Sequence, residues 1–217
     1  MRNDPLYAEV LSVKLISNVN NELKDSLELG DKHNSIGIIT CDIDDVGYTG
    51  LDHATKNAAV DVVYAKSFYG GADNATQKLA GEFIGIIAAS SPSEVKSGLN
   101  SAVNFIENNA SFYSANEDDS ICYYNHCISR TGSYLSETAG IKKGDALAYL
   151  IAPPAESIYA LDAALKAADV TITNFFGPPS ETNFGGAMLT GNQSACKAAC
   201  SAFAYAVKEV ADNPKRF

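Results

Sequence analysis

Residues 51–60 read LDHATKNAAV and residues 161–170 read LDAALKAADV, so that Leu, Asp, Ala, Lys, Ala and Val recur in register. In each half of the chain a helix is followed by a glycine-rich loop, a strand and a second helix. A chance match between two alanine-rich helices explains this shared order poorly. The sequence therefore predicts two tandem copies of one domain, which we place at residues 1–113 and 114–217.

The bulk composition agrees with two folded domains and narrows the class of partner. The 217 residues are 46% hydrophobic, which suffices for two cores in domains of roughly 100 residues each. The net charge of −10 argues against nucleic acid and against anionic membrane surfaces, since both attract basic proteins. No apolar run near the start is long enough for a secretory signal or a membrane span, so we expect a cytoplasmic protein.

The five cysteines indicate reduced thiols, because an odd number in a cytoplasmic protein argues against a disulfide framework. Cys196 and Cys200 lie one helical turn apart, a spacing that also fits a pair of metal ligands. The surrounding run is rich in alanine, which favours the interpretation of both as small core residues. We therefore predict no metal site.

Hydrophobic periodicity predicts short strands that alternate with amphipathic helices. Several connections between predicted strands are too short for a parallel crossover. The pattern therefore predicts an α/β (α+β) fold of mostly antiparallel sheets flanked by helices. The predicted strands are residues 11–16, 36–41, 83–88, 121–129, 147–152, 170–175 and 187–190. The predicted helices are residues 18–27, 51–65, 93–107, 158–168 and 195–211.

The sequence contains none of the common catalytic motifs. It has no Gly-x-Ser-x-Gly, no His-Glu-x-x-His, no phosphate loop and no dinucleotide-binding fingerprint. Asp42 begins a stretch that resembles a calcium loop, but Val46 occupies a ligand position and His53 replaces the closing Glu. We therefore predict no catalytic residues.

A set of carboxylates lies at the ends of two predicted buried strands. Asp44 and Asp45 follow the first of these strands, and Glu82 precedes the second. If the two strands are neighbours in a sheet, their ends bring these acids together. With the aromatic ring of Phe112, such a cluster suits a small cationic ligand through charge pairing and cation–π contact. A solvated acidic loop explains the same residues equally well.

The chain contains several longer motifs, among them RTGSYLS at residues 130–136, PPSETN at residues 178–183 and ACKAAC at residues 195–200. Together with the shorter motifs given below, they resemble the ethanolamine-utilisation family of bacterial microcompartment shell proteins. The likeness extends over about residues 10–214, nearly the whole chain. In addition, residues 126–130 (HCISR) resemble the edge-strand signature of single-copy shell proteins. This signature precedes the helices of the second repeat, as in the circularly permuted tandem members. The motifs are residues 44–46 (DDV), 54–56 (ATK), 130–136 (RTGSYLS), 152–154 (APP), 178–183 (PPSETN), 189–191 (LTG) and 195–200 (ACKAAC).

The resemblance implies a fold and an assembly. Each half becomes a circularly permuted microcompartment domain of ferredoxin-like build. Three chains form a homotrimer, a six-lobed pseudohexamer that tiles with other shell proteins around ethanolamine-degrading enzymes. A gated central pore passes metabolites or cofactors, and small pores within each subunit bind ethanolamine. No cofactor is required, and cobalamin is left open as a bound or transported ligand.

The resemblance also assigns residues to these pores. The ethanolamine contacts map to Asp44, Asp45, Glu82, Phe112, Thr182 and Asn183. The gating loops map to residues 68–73 and 175–179, that is, to Phe68, Tyr69, Gly70, Gly71, Ala72, Asp73, Phe175, Phe176 and Gly177 and the two prolines that follow.

Two other functions compete with a structural shell protein. The first is a small-molecule-binding regulatory α/β domain that does not tile into a sheet. The second is an enzyme that uses Asp44, Asp45 and Glu82 as acid or base, although the chain offers it no paired nucleophile or positioned histidine. Assembly distinguishes the three, since only a shell protein is expected to form trimers and then flat sheets.

Overall fold

The computed structural model describes residues 2–69 and 78–215, and these form ten strands and six helices. The strands are β1 (Pro5–Tyr7), β2 (Val10–Ile16), β3 (Ser35–Cys41), β4 (Asp61–Ser67), β5 (Phe83–Ala89), β6 (Ser111–Ser114), β7 (Cys122–Ile128), β8 (Ala146–Ala152), β9 (Val170–Phe176) and β10 (Gly185–Gly191). The helices are α1 (Asn21–Ser26), α2 (Asp44–Asn57), α3 (Pro92–Asn108), α4 (Ser133–Ala139), α5 (Pro154–Ala167) and α6 (Gln193–Asp212).

The chain separates into two compact units. The first-repeat unit comprises Tyr7–Ala110 and Gly132–Leu135; the second-repeat unit comprises Met1–Leu6, Ser111–Thr131 and Ser136–Phe217. The predicted division after residue 113 differs from these bounds in three short segments. Strand pairing accounts for two of them, because β1 and β6 both join the sheet of the second-repeat unit. The third, Gly132–Leu135, is hydrogen-bonded to Asp52 and Thr55 of the first-repeat unit.

In the first-repeat unit a four-stranded sheet has the order β2-β3-β5-β4. Every neighbouring pair in it is antiparallel. Helices α2 and α3 pack on this sheet and on each other. Their contact faces carry small or branched apolar side chains, and Leu51, Ala54 and Ile106 are completely buried. Burial of these side chains supplies most of the favourable free energy of this layer.

The second-repeat unit contains the order β7-β8-β10-β9, extended at one edge by β6 and β1. The four repeated strands are antiparallel neighbours, and α5 and α6 pack as α2 and α3 do in the first-repeat unit. The same strand order and the same helix pair therefore occur twice. This confirms the predicted class of fold, a tandem α/β arrangement with antiparallel sheets.

The predicted helix over residues 51–65 is wrong at both ends. The helix α2 begins seven residues earlier, at Asp44, and ends at Asn57, whereas β4 already begins at Asp61. Gly47 and Gly50 conceal the start of the helix, because glycine disfavours helix. Packing requires both residues: a Cβ at Gly47 would lie 2.4 Å from the ring of Phe83, and a Cβ at Gly50 would lie 2.6 Å from Ile106.

Strand β4 was missed because most of it was assigned to the predicted helix, and three short elements, β1, β6 and α4, were not predicted as any element. β1 and β6 are too short to show a hydrophobic period, since they have three and four residues. Among residues 2–69 and 78–215, no helix combines the length and the apolarity needed to cross a membrane.

Candidate ligand site

The ends of β3 and β5 meet at one edge of the first-repeat sheet. Cys41 pairs with Phe83 in the antiparallel register. One residue further out, the backbone N–H of Glu82 donates a hydrogen bond to the carbonyl oxygen of Cys41 at 3.0 Å. The acids that follow β3 and the acid that precedes β5 therefore lie at the same edge, as the sequence argument required of neighbouring strands.

Each acid in this acidic edge, defined as Asp42, Asp44, Asp45 and Glu82, is fixed by backbone structure. Asp44 and Asp45 form the first turn of α2 and are only 7% and 6% exposed. The positive end of the helix dipole favours carboxylates at this position. Asp42 Oδ1 accepts a hydrogen bond from the backbone N–H of Glu9 at 2.7 Å, which fixes this side chain beside β2.

The crowding of carboxylates changes their proton affinity. Burial, together with the nearby charges of Asp44 and Asp42, raises the pKa of Glu82 to about 7. Burial also raises the pKa of Asp44, although a hydrogen bond from Ser67 opposes this shift. The pKa of Asp42 is raised by burial as well. A cation that enters the acidic edge would favour the ionised forms and return these pKa values toward their ordinary range.

Sequence reasoning missed two polar residues beside the acids, Tyr48 and Ser67. The hydroxyl groups of these two residues are 2.8 Å apart, and Ser67 also bonds Asp44. The ring of Tyr48 packs edge-on against Phe83, with the ring centroids 4.8 Å apart. Tyr48 lies four residues after Asp44 and so on the same helical face. That spacing is a usable signal once the helix is known to begin at Asp44.

The raised pKa of Glu82 predicts a pH-dependent stability. The folded state binds this proton more tightly than the unfolded chain, whose ordinary value is 4.5. The stability contribution of Glu82 is therefore complete below pH 4.5 and is lost as the pH rises through 7. Discounted for the half-exposed position of the group, the loss is about 1 kcal/mol.

Urea unfolding at pH 5 and at pH 8 measures this effect. Glu82→Gln should lose less stability than the wild type over that interval, by the same ~1 kcal/mol. Glu107→Gln, at an exposed position of α3 in the same unit, serves as the matched control and should behave as the wild type. If the free energy of unfolding depended equally on pH in the wild type and in Glu82→Gln, this result would contradict the raised pKa of Glu82.

The other three predicted contact residues lie in the second-repeat unit. Phe112 is a core residue there, only 4% exposed. Its ring stacks on Tyr124 at 5.3 Å and meets Phe184 edge-on at 5.8 Å between centroids. Thr182 and Asn183 belong to the turn that leads into Phe184, the residue whose ring contacts Phe112.

The turn before β10 has a defined local structure. The N–H of Asn183 donates to the carbonyl oxygen of Ser180 at 3.1 Å, and the N–H of Ser180 donates to Phe184 O at 2.7 Å. Asn183 adopts φ +67°, a backbone region in which asparagine is enriched. The hydroxyl groups of Ser180 and Thr182 are 3.3 Å apart. The backbone hydrogen bonds therefore determine where Thr182 and Asn183 are placed.

The structure corrects part of the predicted loops. Phe175 and Phe176 are the last residues of β9 and pair with Ala187 and Gly186, because the antiparallel ladder extends to the first residues of β10. The irregular segment begins only at Gly177. In the other predicted loop, Phe68 and Tyr69 follow β4, and Tyr69 is exposed. Gly70, Gly71, Ala72 and Asp73 lie outside the described residues.

Within the described part of the chain, no group of three or more His, Cys, Asp or Glu side chains is arranged to hold a metal ion. All five cysteines are thiols that form no disulfide. The acidic edge therefore offers carboxylate and hydroxyl oxygens to a ligand, with cations and hydrogen-bond donors as the chemistry they favour.

Comparison with known proteins identifies the class. The sequence profile of the BMC domain matches residues 35–117, which, with the repeated unit, places the chain among the bacterial microcompartment shell proteins. The chain is 65% identical to the bacterial microcompartment shell protein EutL of Clostridium perfringens (strain 13 / Type A), with 100% of both chains covered. The chain belongs to the EutL family of shell proteins.

Two further comparisons agree. The EutL shell protein of Escherichia coli strain K12 is 47% identical over 97% of this chain and 96% of its own length. The crystal structure of ethanolamine utilization protein EutL from Leptotrichia buccalis C-1013-b has a TM-score of 0.98, with 66% identity and full coverage of both chains. The chain therefore has a structural role in a microcompartment shell, where it associates with other shell proteins.

Proposed function

We propose that three copies of this chain form a pseudohexameric disc in the shell of an ethanolamine-utilisation microcompartment. Support comes from the duplicated strand order and helix pair, since two similar units per chain and three chains supply six positions around a closed ring. The names of the relatives supply the metabolic setting. The disc tiles with other shell proteins and needs no cofactor for this role.

The proposed ligand of the acidic edge is ethanolamine. The observation that carries this proposal is the convergence of Asp42, Asp44 and Glu82 at one edge of the sheet, where burial, with the charges of Asp44 and Asp42, raises the pKa of Glu82 to about 7. Ethanolamine is an ammonium ion at neutral pH, and charge-assisted hydrogen bonds to carboxylates are the strong kind. Its hydroxyl group finds partners of matching chemistry in Tyr48 and Ser67, which sequence reasoning did not include.

The proposed gate consists of the two segments 68–73 and 177–179 around a central pore that passes metabolites, with cobalamin as a candidate cargo. The first segment starts at the acidic edge. The N–H of Phe68 donates to Glu82 O at 3.0 Å, and the preceding Ser67 bonds Asp44. A ligand that draws Glu82 and Ser67 toward itself therefore acts on the first residue of this segment. Ligand binding shifts the equilibrium between the open and closed states of the gate, and the size of this shift depends on the difference in ligand affinity between the two states.

Glu82→Gln tests the ligand. Loss of one charge-assisted hydrogen bond costs about 1.5–3 kcal/mol, so the affinity for ethanolamine should fall roughly tenfold or more. Asp45→Asn should weaken binding in the same direction. Titration calorimetry at pH 8, where Glu82 is largely ionised, measures both variants against the wild type and against Glu107→Gln.

The same titrations show whether the acidic edge has been wrongly assigned as the ethanolamine site. Glu107→Gln keeps the fold and removes one charge from the same unit, so it should bind as the wild type does. Unchanged affinity in both Glu82→Gln and Asp45→Asn would refute the acidic edge as the ethanolamine site. A comparable loss in Glu107→Gln would attribute the effect to the net charge of the unit instead.

A further inference from the structure

In the first-repeat unit, the segment Gly132–Leu135 covers the face of α2 that carries Tyr48 and Asp52. The carboxylate of Asp52 accepts two backbone N–H groups of this segment, at 2.8 and 2.9 Å. The ring of Tyr134 stacks on the ring of Tyr48, with the centroids 6.5 Å apart and the planes at 18°. The packing is close, because Asp52 is 0% and Leu135 only 1% exposed.

The equivalent face of the second-repeat unit is open to solvent. Helix α5 is the counterpart of α2, so Ile158 and Asp162 occupy the positions of Tyr48 and Asp52, the fifth and ninth residues of each helix. Ile158 is 47% exposed, and the side chain of Asp162 is 63% exposed. Tyr159, which follows Ile158, is 50% exposed. Two large apolar side chains therefore lie on a surface whose counterpart in the other repeat is covered.

Helix α1 is the counterpart of the covering helix α4. Each of these helices begins five residues after a strand ends, α1 after β2 and α4 after β7. Leucine is the third residue of both, Leu23 in α1 and Leu135 in α4. Helix α4 buries Leu135 and Ala139, whereas no residue of α1 is buried and Leu23 is 38% exposed. The chain thus presents an exposed helix and an exposed face whose counterparts pack together in the first-repeat unit.

We propose that α1 of one copy of this chain packs on the α5 face of a second copy, where Leu23 joins Ile158 and Tyr159. The contact rests on the proposed trimer and names the surfaces through which its chains meet. Burial of these apolar side chains removes from water a surface that a single chain leaves exposed. The two surfaces are different parts of the chain, so each copy donates one α1 and receives one. Such head-to-tail contacts form a ring where the rotation closes.

The first-repeat unit also indicates which side chains meet. Tyr134, the second residue of α4, contacts Tyr48, the fifth residue of α2. The residues in the same positions of α1 and α5 are Glu22 and Ile158. Glu22 of one copy is therefore expected beside Ile158 of the next.

One feature of the covered face is not repeated. The residue before α4 is Gly132, which has no side chain, and Asp52 accepts its N–H. The residue before α1 is Asn20, whose Oδ1 accepts the N–H of Glu22 at 2.9 Å. Helix α1 therefore has its own cap and does not require Asp162 as an acceptor. The contact between copies depends on the apolar side chains instead.

Sedimentation equilibrium tests this contact at a concentration at which the wild type is trimeric. Leu23→Asp and Ile158→Glu each place a charge in the contact, and each should lower the measured mass from three chains to one. Adding Glu22→Lys to Ile158→Glu should restore the mass of three chains, because the two substituted side chains then carry opposite charges. Far-ultraviolet circular dichroism confirms that each variant keeps its fold.

The repeat also supplies a matched control on α6. Tyr205 is 71% exposed, and Asn104 of α3, which is likewise the thirteenth residue of its helix, is exposed too. The covered face of the first-repeat unit therefore does not include this position. Tyr205→Glu introduces the same charge as Ile158→Glu and should keep the mass of three chains.

The outcomes separate this contact from the trimer itself. A mass of three chains for Leu23→Asp and Ile158→Glu would overturn the contact and leave the proposed trimer intact. An equal loss in Tyr205→Glu, or no recovery on adding Glu22→Lys, would also overturn the contact, because the effect would not depend on the pairing of α1 with α5. A wild type with the mass of one chain would contradict the proposed trimer and this contact together.

Discussion

Replacing Asp52 by alanine is expected to lower the free energy of unfolding of the first-repeat unit by about 3 kcal/mol. The carboxylate of Asp52 is 0% exposed. It accepts hydrogen bonds from the N–H of Gly132 at 2.8 Å and of Leu135 at 2.9 Å, and it pairs with Lys56 at 3.3 Å. Alanine would leave two buried N–H groups and one ammonium group without this acceptor. Urea unfolding followed by far-ultraviolet circular dichroism measures the loss.

The repeat supplies the matched control, because Asp162 occupies the equivalent position. Asp162 pairs with Lys166 at 2.6 Å with the same i, i+4 spacing, but its side chain is 63% exposed. Exposed pairs of this kind contribute about 0.3–0.5 kcal/mol, so Asp162→Ala should change stability little. Similar losses in Asp52→Ala and Asp162→Ala would show that the buried hydrogen bonds contribute nothing beyond the ion pair.

The second large effect is expected at Gly81, which precedes the acidic residue Glu82. Gly81 has φ +67°, and a Cβ there would lie 2.1 Å from the carbonyl oxygen of Cys41. This oxygen accepts the N–H of Glu82, so it cannot move without breaking that bond. Gly81→Ala should therefore cost about 3 kcal/mol in stability and displace Glu82 from the acidic edge.

Gly140→Ala separates the cost of the positive φ from the cost of the steric clash with a carbonyl oxygen. Gly140 has a similar φ of +62°, but a Cβ there would meet nothing within 4 Å. The free energy of unfolding of this variant should fall only by the cost of placing alanine at a positive φ, about 1 kcal/mol. Thermal unfolding measures both variants, and titration calorimetry with ethanolamine should show that only Gly81→Ala loses binding. Equal stability losses for the two variants would mean that the Cys41 carbonyl group moves aside at no cost. Glu82 would then remain at the acidic edge.

The repeat could be predicted from the sequence because matching residues and the same order of elements extend over a long stretch of each half. The recurrence of Leu51 and Asp52 at Leu161 and Asp162 places α2 and α5 in equivalent positions of two sheets with the same strand order. The divergence of the two aspartates was not predictable from the local sequence. Asp52 is buried because it bonds a segment 80 residues away, a contact that no local pattern records.

Two of the motifs on which the family resemblance rests contact each other in the structure, which their sequences alone did not indicate. The motifs at residues 54–56 and 130–136 were recognised separately. In the structure Thr55 Oγ1 accepts the N–H of Ser133 at 3.1 Å, beside the two bonds of Asp52. Gly132 has no room for a side chain, because a Cβ would lie 2.2 Å from Thr55 Oγ1. Close packing of two motifs thus accounts for residue choices in both.

The acidic edge was predictable in outline and not in detail. Buried, β-branched strands identified β3 and β5, and their pairing brings Glu82 to the end of β3. The start of α2 was concealed by two glycines that packing requires, so Tyr48 was not assigned to the face that carries Asp44. Phe112 was assigned from its aromatic ring and from the family resemblance, and that ring is a core group of the second-repeat unit.

The mass of the native assembly tests the central claim most directly. Sedimentation equilibrium of the full chain in dilute solution should give three times the mass of one chain. Negative-stain electron microscopy of concentrated protein should then show flat sheets of six-lobed discs. A stable monomer or dimer that forms no sheet would contradict the pseudohexamer and would favour a small-molecule-binding regulatory domain instead.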